Sequence, residues 1–79
     1  GAILAAWLKT GAKKWSDLQK DNSWSHQQLI NEIYSEALSR IPNAQELELL
    51  KFTDQVNKTE AIEDVLWLIV MLPEFQLIN

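Results

Sequence analysis

Two helix-start signals on either side of a proline constrain this chain more than any other feature. Ser25 is followed three residues later by Gln28, and Asn43 is followed three residues later by Glu46. In such a capping box, each side chain hydrogen-bonds a backbone amide that the first helical turn leaves free. Pro42 disfavours helical geometry in the residue before it. The pattern therefore predicts two helices that are joined by a short turn and lie side by side.

Apolar spacing sets the extent of these two helices. The first, over about residues 25–39, carries apolar side chains in pairs four apart, which form one stripe. The stripe consists of Leu29, Ile30, Ile33, Tyr34, Ala37 and Leu38. The second helix, over about residues 43–56, carries Leu47, Leu49, Leu50, Phe52 and Val56.

A further helix is predicted to start at Thr59 and to end at Pro73. Acidic residues in its first turns suit the positive end of the helix dipole: Glu60, Glu63 and Asp64. The run Val65–Leu72 is apolar on every side, which is typical of a helix that is central in its bundle or covered by another part of the protein. We expect Trp67 in the core, and one face of the helix in contact with something outside this domain.

The first quarter of the chain is less regular. Residues 2–10 favour a helix that stops near Gly11, and residues 11–24 are expected to be irregular, with a loop before Ser25. The predicted fold class is all-α: a small bundle of three to four helices, orthogonal or up-down. We expect residues 1–79 to form a single helical domain, excised from a larger protein because the chain begins with Gly rather than Met.

Charge and apolar content exclude several partners. Four lysines against Asp17 give residues 1–20 a net charge of +3, and the total of −4 leaves −7 for the remainder. The basic segment is expected to lie on the acidic remainder, with an anionic partner as the alternative. The pI of about 4.8 makes nucleic acid an unfavourable partner. No apolar run reaches 18 residues, so we predict no membrane insertion.

Arg40 is the charged residue with the clearest predicted role. It ends the first capped helix, and the fold can bring Glu46 and Glu74 close to it. We predict a structural clamp of Arg40, Glu46 and Glu74, because paired hydrogen bonds between guanidinium and carboxylate fix geometry. An anion-binding site is the alternative. The single histidine, His26, has no His or Cys partner, so we predict no metal, cofactor or catalytic site.

Aromatic and apolar side chains supply a candidate contact surface. Trp7, Trp15 and Trp24 recur at intervals of eight and nine residues. We expect them to seal the small core, and the alternative is that they are exposed together and form a stacking platform for sugar rings. The apolar run adds three further contact candidates: Leu68, Met71 and Leu72.

Three ordered motifs carry a resemblance to a known family. They are Ile33-Tyr34-x-x-Ala37-Leu38-Ser39-Arg40-x-Pro42-Asn43-x-x-Glu46-Leu47, Ala61-x-Glu63-Asp64-Val65-Leu66-Trp67 and Pro73-Glu74-Phe75. This pattern resembles the C-terminal helical region of domain-of-unknown-function family fifteen fifty-three, which occurs in large exported planctomycete and Bacteroidetes-type proteins that often carry a cytochrome-c-like segment. The chain departs from it at Met71-Leu72, where that family usually has a small polar pair. A second helical family of unknown function shares the Leu-x-Arg-x-Pro and Pro-Glu-Phe pieces but lacks the Glu-Asp-x-Leu-Trp block.

The resemblance implies a terminal helical module of a periplasmic or secreted protein and brings no established activity with it. Together with the residues above, it favours a non-catalytic structural or protein-interaction module. Its expected partner is a neighbouring domain of the same parent chain, or a second copy in a homo-oligomer. The alternative is a carbohydrate-contacting module that uses the Trp-rich first half.

Overall fold

A computed structural model describes residues 2–78, except for the side chain of Ile78. These residues form a small all-α bundle, as the sequence predicts, and the first and last residues of the predicted 1–79 domain lie outside the described part. The bundle consists of α1 (Ala2–Asn22), α2 (His26–Leu38), α3 (Ala44–Leu50), a 3₁₀ segment (Lys51–Gln55), α4 (Lys58–Met71) and α5 (Pro73–Ile78).

Side-chain caps begin three of these helices. Ser25 and Asn43 form the predicted capping boxes with Gln28 and Glu46, and both directions of each box are present. The predicted start at Thr59 is wrong by two residues. Asn57 is the cap of α4, and its side-chain oxygen accepts the Glu60 amide at 2.9 Å. An amide oxygen at this position satisfies a donor that would otherwise be free.

Helix α1 continues through Gly11, contrary to the predicted helix end at that residue and to the irregular structure predicted over residues 11–24. A Cβ at Gly11 would lie only 3.2 Å from Cδ1 of Leu66, so α1 approaches α4 closely at this point. The glycine therefore serves the contact between two helices, which its neighbours in sequence do not reveal.

Helix α3 is shorter than the predicted 43–56 element and tightens into the 3₁₀ segment. Its inward face is formed by Glu46, Leu50 and Thr53, which are spaced four and three residues apart. The predicted apolar positions Leu49 and Phe52 point away from this face and are exposed. The buried face of this segment is therefore determined by the Glu46 carboxylate and the Thr53 hydroxyl as well as by Leu50.

Helix α4 is the centre of the bundle and packs against α1, α2 and α5. The buried apolar core consists of Trp15, Leu29, Ile30, Ile33, Tyr34, Leu38, Leu50, Ala61, Ile62, Val65, Leu66, Ile69, Val70 and Phe75. The prediction that Trp67 belongs to the core is wrong, because its side chain is 55% exposed. Three neighbouring helices do not surround α4 completely, so its remaining face stays open.

Candidate functional site

The C-terminal end of α2 determines the direction of the Arg40 side chain. Ser39 adopts a left-handed conformation with φ of 59°, and its amide donates to the Ser35 carbonyl at 2.9 Å. This conformation terminates the helix and redirects the chain. The buried Pro42 lies two residues before the start of α3. The Arg40 side chain consequently reaches both α3 and α5.

Glu46 binds Arg40 through both carboxylate oxygens. Arg40 Nη1 donates to Oε1 at 2.7 Å, and Nη2 donates to Oε2 at 2.9 Å. The same carboxylate accepts the backbone amide of Asn43 at 2.9 Å, so it caps α3 while it holds the arginine. Glu46 is only 5% exposed, and these bonds compensate for the loss of its hydration.

Glu74 binds the same guanidinium from α5. Arg40 Nη2 donates to its Oε1 at 2.5 Å and Nε donates to its Oε2 at 3.2 Å. The fifth donor hydrogen goes to the Ile41 carbonyl from Nη1 at 3.0 Å. An arginine has five N–H donors, and all five are used here. This geometry leaves no donor for an external anion and favours the structural clamp over the anion-binding alternative.

Ion pairing shifts the pKa values around the clamp. Hydrogen bonds from Arg40 lower the pKa of Glu46 and of Glu74, and the two carboxylates raise the pKa of Arg40. The Tyr34 ring lies 5.6 Å from the guanidinium. Burial raises the pKa of Tyr34 to about 12, so its hydroxyl stays protonated at neutral pH. The charged forms of the clamp are thus the favoured ones.

His26 forms the second polar cluster. The Thr53 hydroxyl donates to the Leu50 carbonyl at 2.5 Å, so its oxygen accepts a hydrogen from His26 Nε2 at 2.6 Å. A hydroxyl has one hydrogen to give, which assigns the proton of neutral His26 to Nε2. Burial lowers the pKa of His26. The Thr53 hydroxyl donates to a backbone carbonyl and the residue is 5% exposed, which does not suit a nucleophile.

The three tryptophans of α1 and the following loop pack against the core, as expected, and do not form the open platform that was the alternative. Trp15 is 6% exposed and its ring lies 6.2 Å from that of Trp24. Trp7 lies 4.8 Å from the Phe75 ring. Trp7 and Trp24 are partly buried against the core, as are the predicted contact residues Leu68 and Leu72. The continuous α1 helix accounts for this, because it turns its aromatic residues toward the interior.

An open apolar groove runs between α1 and α4, with an end at α5. We call it the α1/α4 groove, and its volume is about 640 Å³. It is lined by Leu4, Ala5, Leu8, Lys9, Ala12, Glu63, Leu66, Trp67, Val70, Met71 and Gln76. Met71, a predicted contact residue, is 66% exposed in this groove.

Helical spacing builds the two walls of the α1/α4 groove. Leu4 and Leu8 are four residues apart on α1, and Trp67 and Met71 are four residues apart on α4. Trp67 was predicted to lie in the core, and its place on the surface was not predicted. The signal that locates it is Glu63, which lies four residues before Trp67 and therefore on the same exposed stripe.

No family model, curated protein or solved structure matches this chain. The resemblance to family fifteen fifty-three therefore remains a prediction. Within residues 2–78, no helix combines the length and apolar character needed to cross a bilayer. In the same part of the chain, no three His, Cys, Asp or Glu side chains come together as a group that could hold a metal ion.

Proposed function

We propose that this chain is a non-catalytic protein-interaction module that contacts its partner through the α1/α4 groove. The observation that carries the proposal is the exposure of Trp67 and Met71, at 55% and 66%, on one apolar groove. Large apolar side chains that line a concave surface together are typical of a docking site, whereas isolated ones are ordinary.

Physical chemistry supports a protein as the partner. Tryptophan contributes large contact area at interfaces, and methionine adapts its shape to a partner surface. Covering apolar surface yields about 25 cal/mol per Å² removed from water. The groove floor is formed by Leu66 and Val70, so an apolar segment seated there would extend the core of the domain.

The polar clusters support a non-catalytic role. The donors of Arg40 are all engaged, and Thr53 gives its hydroxyl hydrogen to a backbone carbonyl. Both clusters thus serve the packing of helices. In keeping with the family resemblance, we place the module in a periplasmic or secreted parent, and the partner in the same chain or in another copy of it.

Carbohydrate contact is the second candidate. A groove of about 540 Å³ lies between α1 and α2, and Trp7 and Trp15 are in its lining. The ion pair of Lys14 Nζ with Glu36, at 2.5 Å, joins residues that line this second groove. A sugar ring would need access to an aromatic face. Trp15 is 6% exposed, which ranks this function below protein contact.

Amide chemical-shift mapping by NMR tests the proposal. The labelled chain is titrated with a synthetic amphipathic helical peptide whose leucines are spaced i, i+3, i+4 and i+7, and separately with hexasaccharides of glucose, mannose and N-acetylglucosamine. We expect the peptide to shift amides of α1 and α4 around the groove, and Trp67→Gln to remove the effect. The matched control is Phe52→Gln, which removes an equally prominent aromatic, 64% exposed, outside the groove.

Two results would contradict the proposal. One is a peptide titration without shifts in the α1/α4 groove. The other is a peptide response that Trp67→Gln and Phe52→Gln reduce equally, because general stickiness would then explain it. Shifts around Trp7 and Trp15 on addition of a hexasaccharide would support the carbohydrate alternative.

A further inference from the structure

The two walls of the α1/α4 groove differ in bulk. The α4 wall carries the exposed side chains of Trp67 and Met71, whereas the α1 wall carries Ala5 and Ala12 beside two partly buried leucines. The α4 wall therefore presents the larger exposed apolar side chains, and the α1 wall presents the smaller ones. A partner that presents a bulky row over the α1 wall and a small row over the α4 wall would fit it closely.

The walls also differ in charge. Lys9 lines the α1 side of the groove and Glu63 lines the α4 side. Among residues 2–78, neither of these side chains forms an ion pair within 4.0 Å. Both charges therefore remain available to a partner at the edge of an apolar patch, which is where charged residues lie in protein interfaces.

The helices that form the walls run in opposite directions. Gly11 on α1 is level with Leu66 on α4, and Trp7, earlier in α1, contacts Phe75, which follows α4. The groove thus has a long axis parallel to both helices. Its α1 side is basic, and its α4 side is acidic and carries the larger exposed apolar side chains.

We infer that the α1/α4 groove binds a second copy of this chain about a twofold axis that runs along the groove. Rotation about this axis places the α1 wall of each copy on the α4 wall of the other. Trp67 and Met71 then lie over the α1 wall of the other copy, and the basic side faces the acidic side. A twofold axis across the groove would instead oppose like walls and like charges.

This inference rests on the proposed function and names its partner. A self-complementary patch is what an isologous dimer requires, since the same residues serve on both subunits. Stable dimers usually bury about 800 Å² on each subunit. The groove supplies the apolar centre of such an area, and Lys9 and Glu63 lie at its sides.

Sedimentation equilibrium over a concentration series tests the inference, beginning at low ionic strength because screening weakens exposed charge pairs. We expect a monomer–dimer equilibrium whose dissociation constant rises about tenfold or more with Trp67→Gln, as for a central interface tryptophan. Phe52→Gln is expected to leave the constant unchanged. Circular dichroism and urea unfolding verify that each variant is folded.

Charge exchange tests the orientation of the axis. Lys9→Glu and Glu63→Lys are each expected to weaken dimerisation about two- to fivefold, as exposed charges at an interface do. The double variant K9E/E63K restores opposite charges across the twofold axis, and its dissociation constant should return toward that of the original chain. An axis across the groove predicts no restoration in the double variant and would overturn the inference.

The remaining outcomes separate the inference from the proposed function. A chain that stays monomeric up to about 1 mM, well above the range of specific complexes, overturns the second copy as partner. If such a monomer still binds the amphipathic peptide in the groove, the protein-interaction function stands and only the dimer fails. If the monomer does not bind the peptide either, the protein-interaction function and the dimer both fail. A dimer that Trp67→Gln does not weaken also overturns the inference.

Discussion

A buried glutamate and an exposed tryptophan distinguish two regions of this small bundle, the clamp and the α1/α4 groove. At the clamp, Glu46 is 5% exposed and lies between α3 and Arg40. In the α1/α4 groove, Trp67 is 55% exposed although its neighbours Val65 and Leu66 are fully covered. Each residue is found where its polarity alone would not place it.

The contrast shows that available partners decide burial in a domain this small. Glu46 is buried because an arginine fork and a backbone amide replace its water. Trp67 is exposed because α1, α2 and α5 cover the other sides of α4 and leave this one open. The clamp engages every donor of Arg40 within the chain, whereas the groove leaves Trp67 and Met71 exposed. The following predictions act on this difference.

The largest effect is expected from removing the arginine of the clamp. Arg40→Met leaves the Glu46 carboxylate buried without its cation, and we expect the free energy of unfolding to fall by about 2 to 4 kcal/mol. Urea unfolding measures the loss. Arg40→Lys keeps the charge without the fork and should lose an intermediate amount.

The control for this prediction is Lys51→Met, which breaks the exposed pair of Lys51 with Glu48. Exposed pairs contribute little, so a loss below about 0.5 kcal/mol is expected. Equal losses in Arg40→Met and Lys51→Met would show that the clamp does not support the fold.

The next largest effect concerns the contact beneath the groove. Gly11→Leu places a side chain where even a Cβ would lie 3.2 Å from Leu66, and we expect a loss of about 1 to 3 kcal/mol from overpacking. Ala6→Leu is the control on the same helix, because Ala6 is exposed. Thermal unfolding that ranks the two variants equally would contradict the close approach of α1 and α4.

Acid is expected to weaken the clamp. The folded-state pKa values of Glu46 and Glu74 are below the ordinary value of 4.5. Their contribution to stability is therefore fully present above pH 4.5 and is lost as the pH falls through the folded pKa values. We expect the stability difference between the original chain and Arg40→Met to be constant from pH 7 to 5 and to shrink below that. A difference that grows on acidification would reverse the sign of the linkage.

The smallest effect on stability is expected in the groove. Trp67→Gln removes an exposed side chain, and we expect the free energy of unfolding to change by less than about 1 kcal/mol. Phe52→Gln should behave similarly. If Trp67→Gln destabilised the fold as much as Arg40→Met, the tryptophan would be a core residue, and the contrast between the two regions would disappear.

Local chemistry made part of this structure predictable. The capping boxes at Ser25 and Asn43 involve residues three apart, so their geometry requires no knowledge of the fold. The predicted helix over 25–39 corresponds to α2 at His26–Leu38 for the same reason. The contacts of Arg40 with Glu46 could be predicted because the two residues are only six positions apart and are joined by a short turn.

Other features depended on elements far apart in sequence. The residues around Gly11 suggest a helix end, but the glycine allows the close approach of Leu66, which lies 55 residues later in the chain. Trp67 belongs to an apolar run, and only the number of helices that reach α4 decides which of its faces is covered. The apolar run Val65–Leu72 predicts a buried helix but does not indicate which of its faces stays exposed.

The sequence by itself determined the all-α class, the position of α2, the start of α3 and the charges from which the clamp is made, because caps, prolines and helical spacing act over a few residues. The tertiary structure alone decided that α1 is continuous, that Trp15 is buried and that Trp67 is exposed. These outcomes depend on which faces of each helix are covered by other helices, and this is defined only once the helices are packed together.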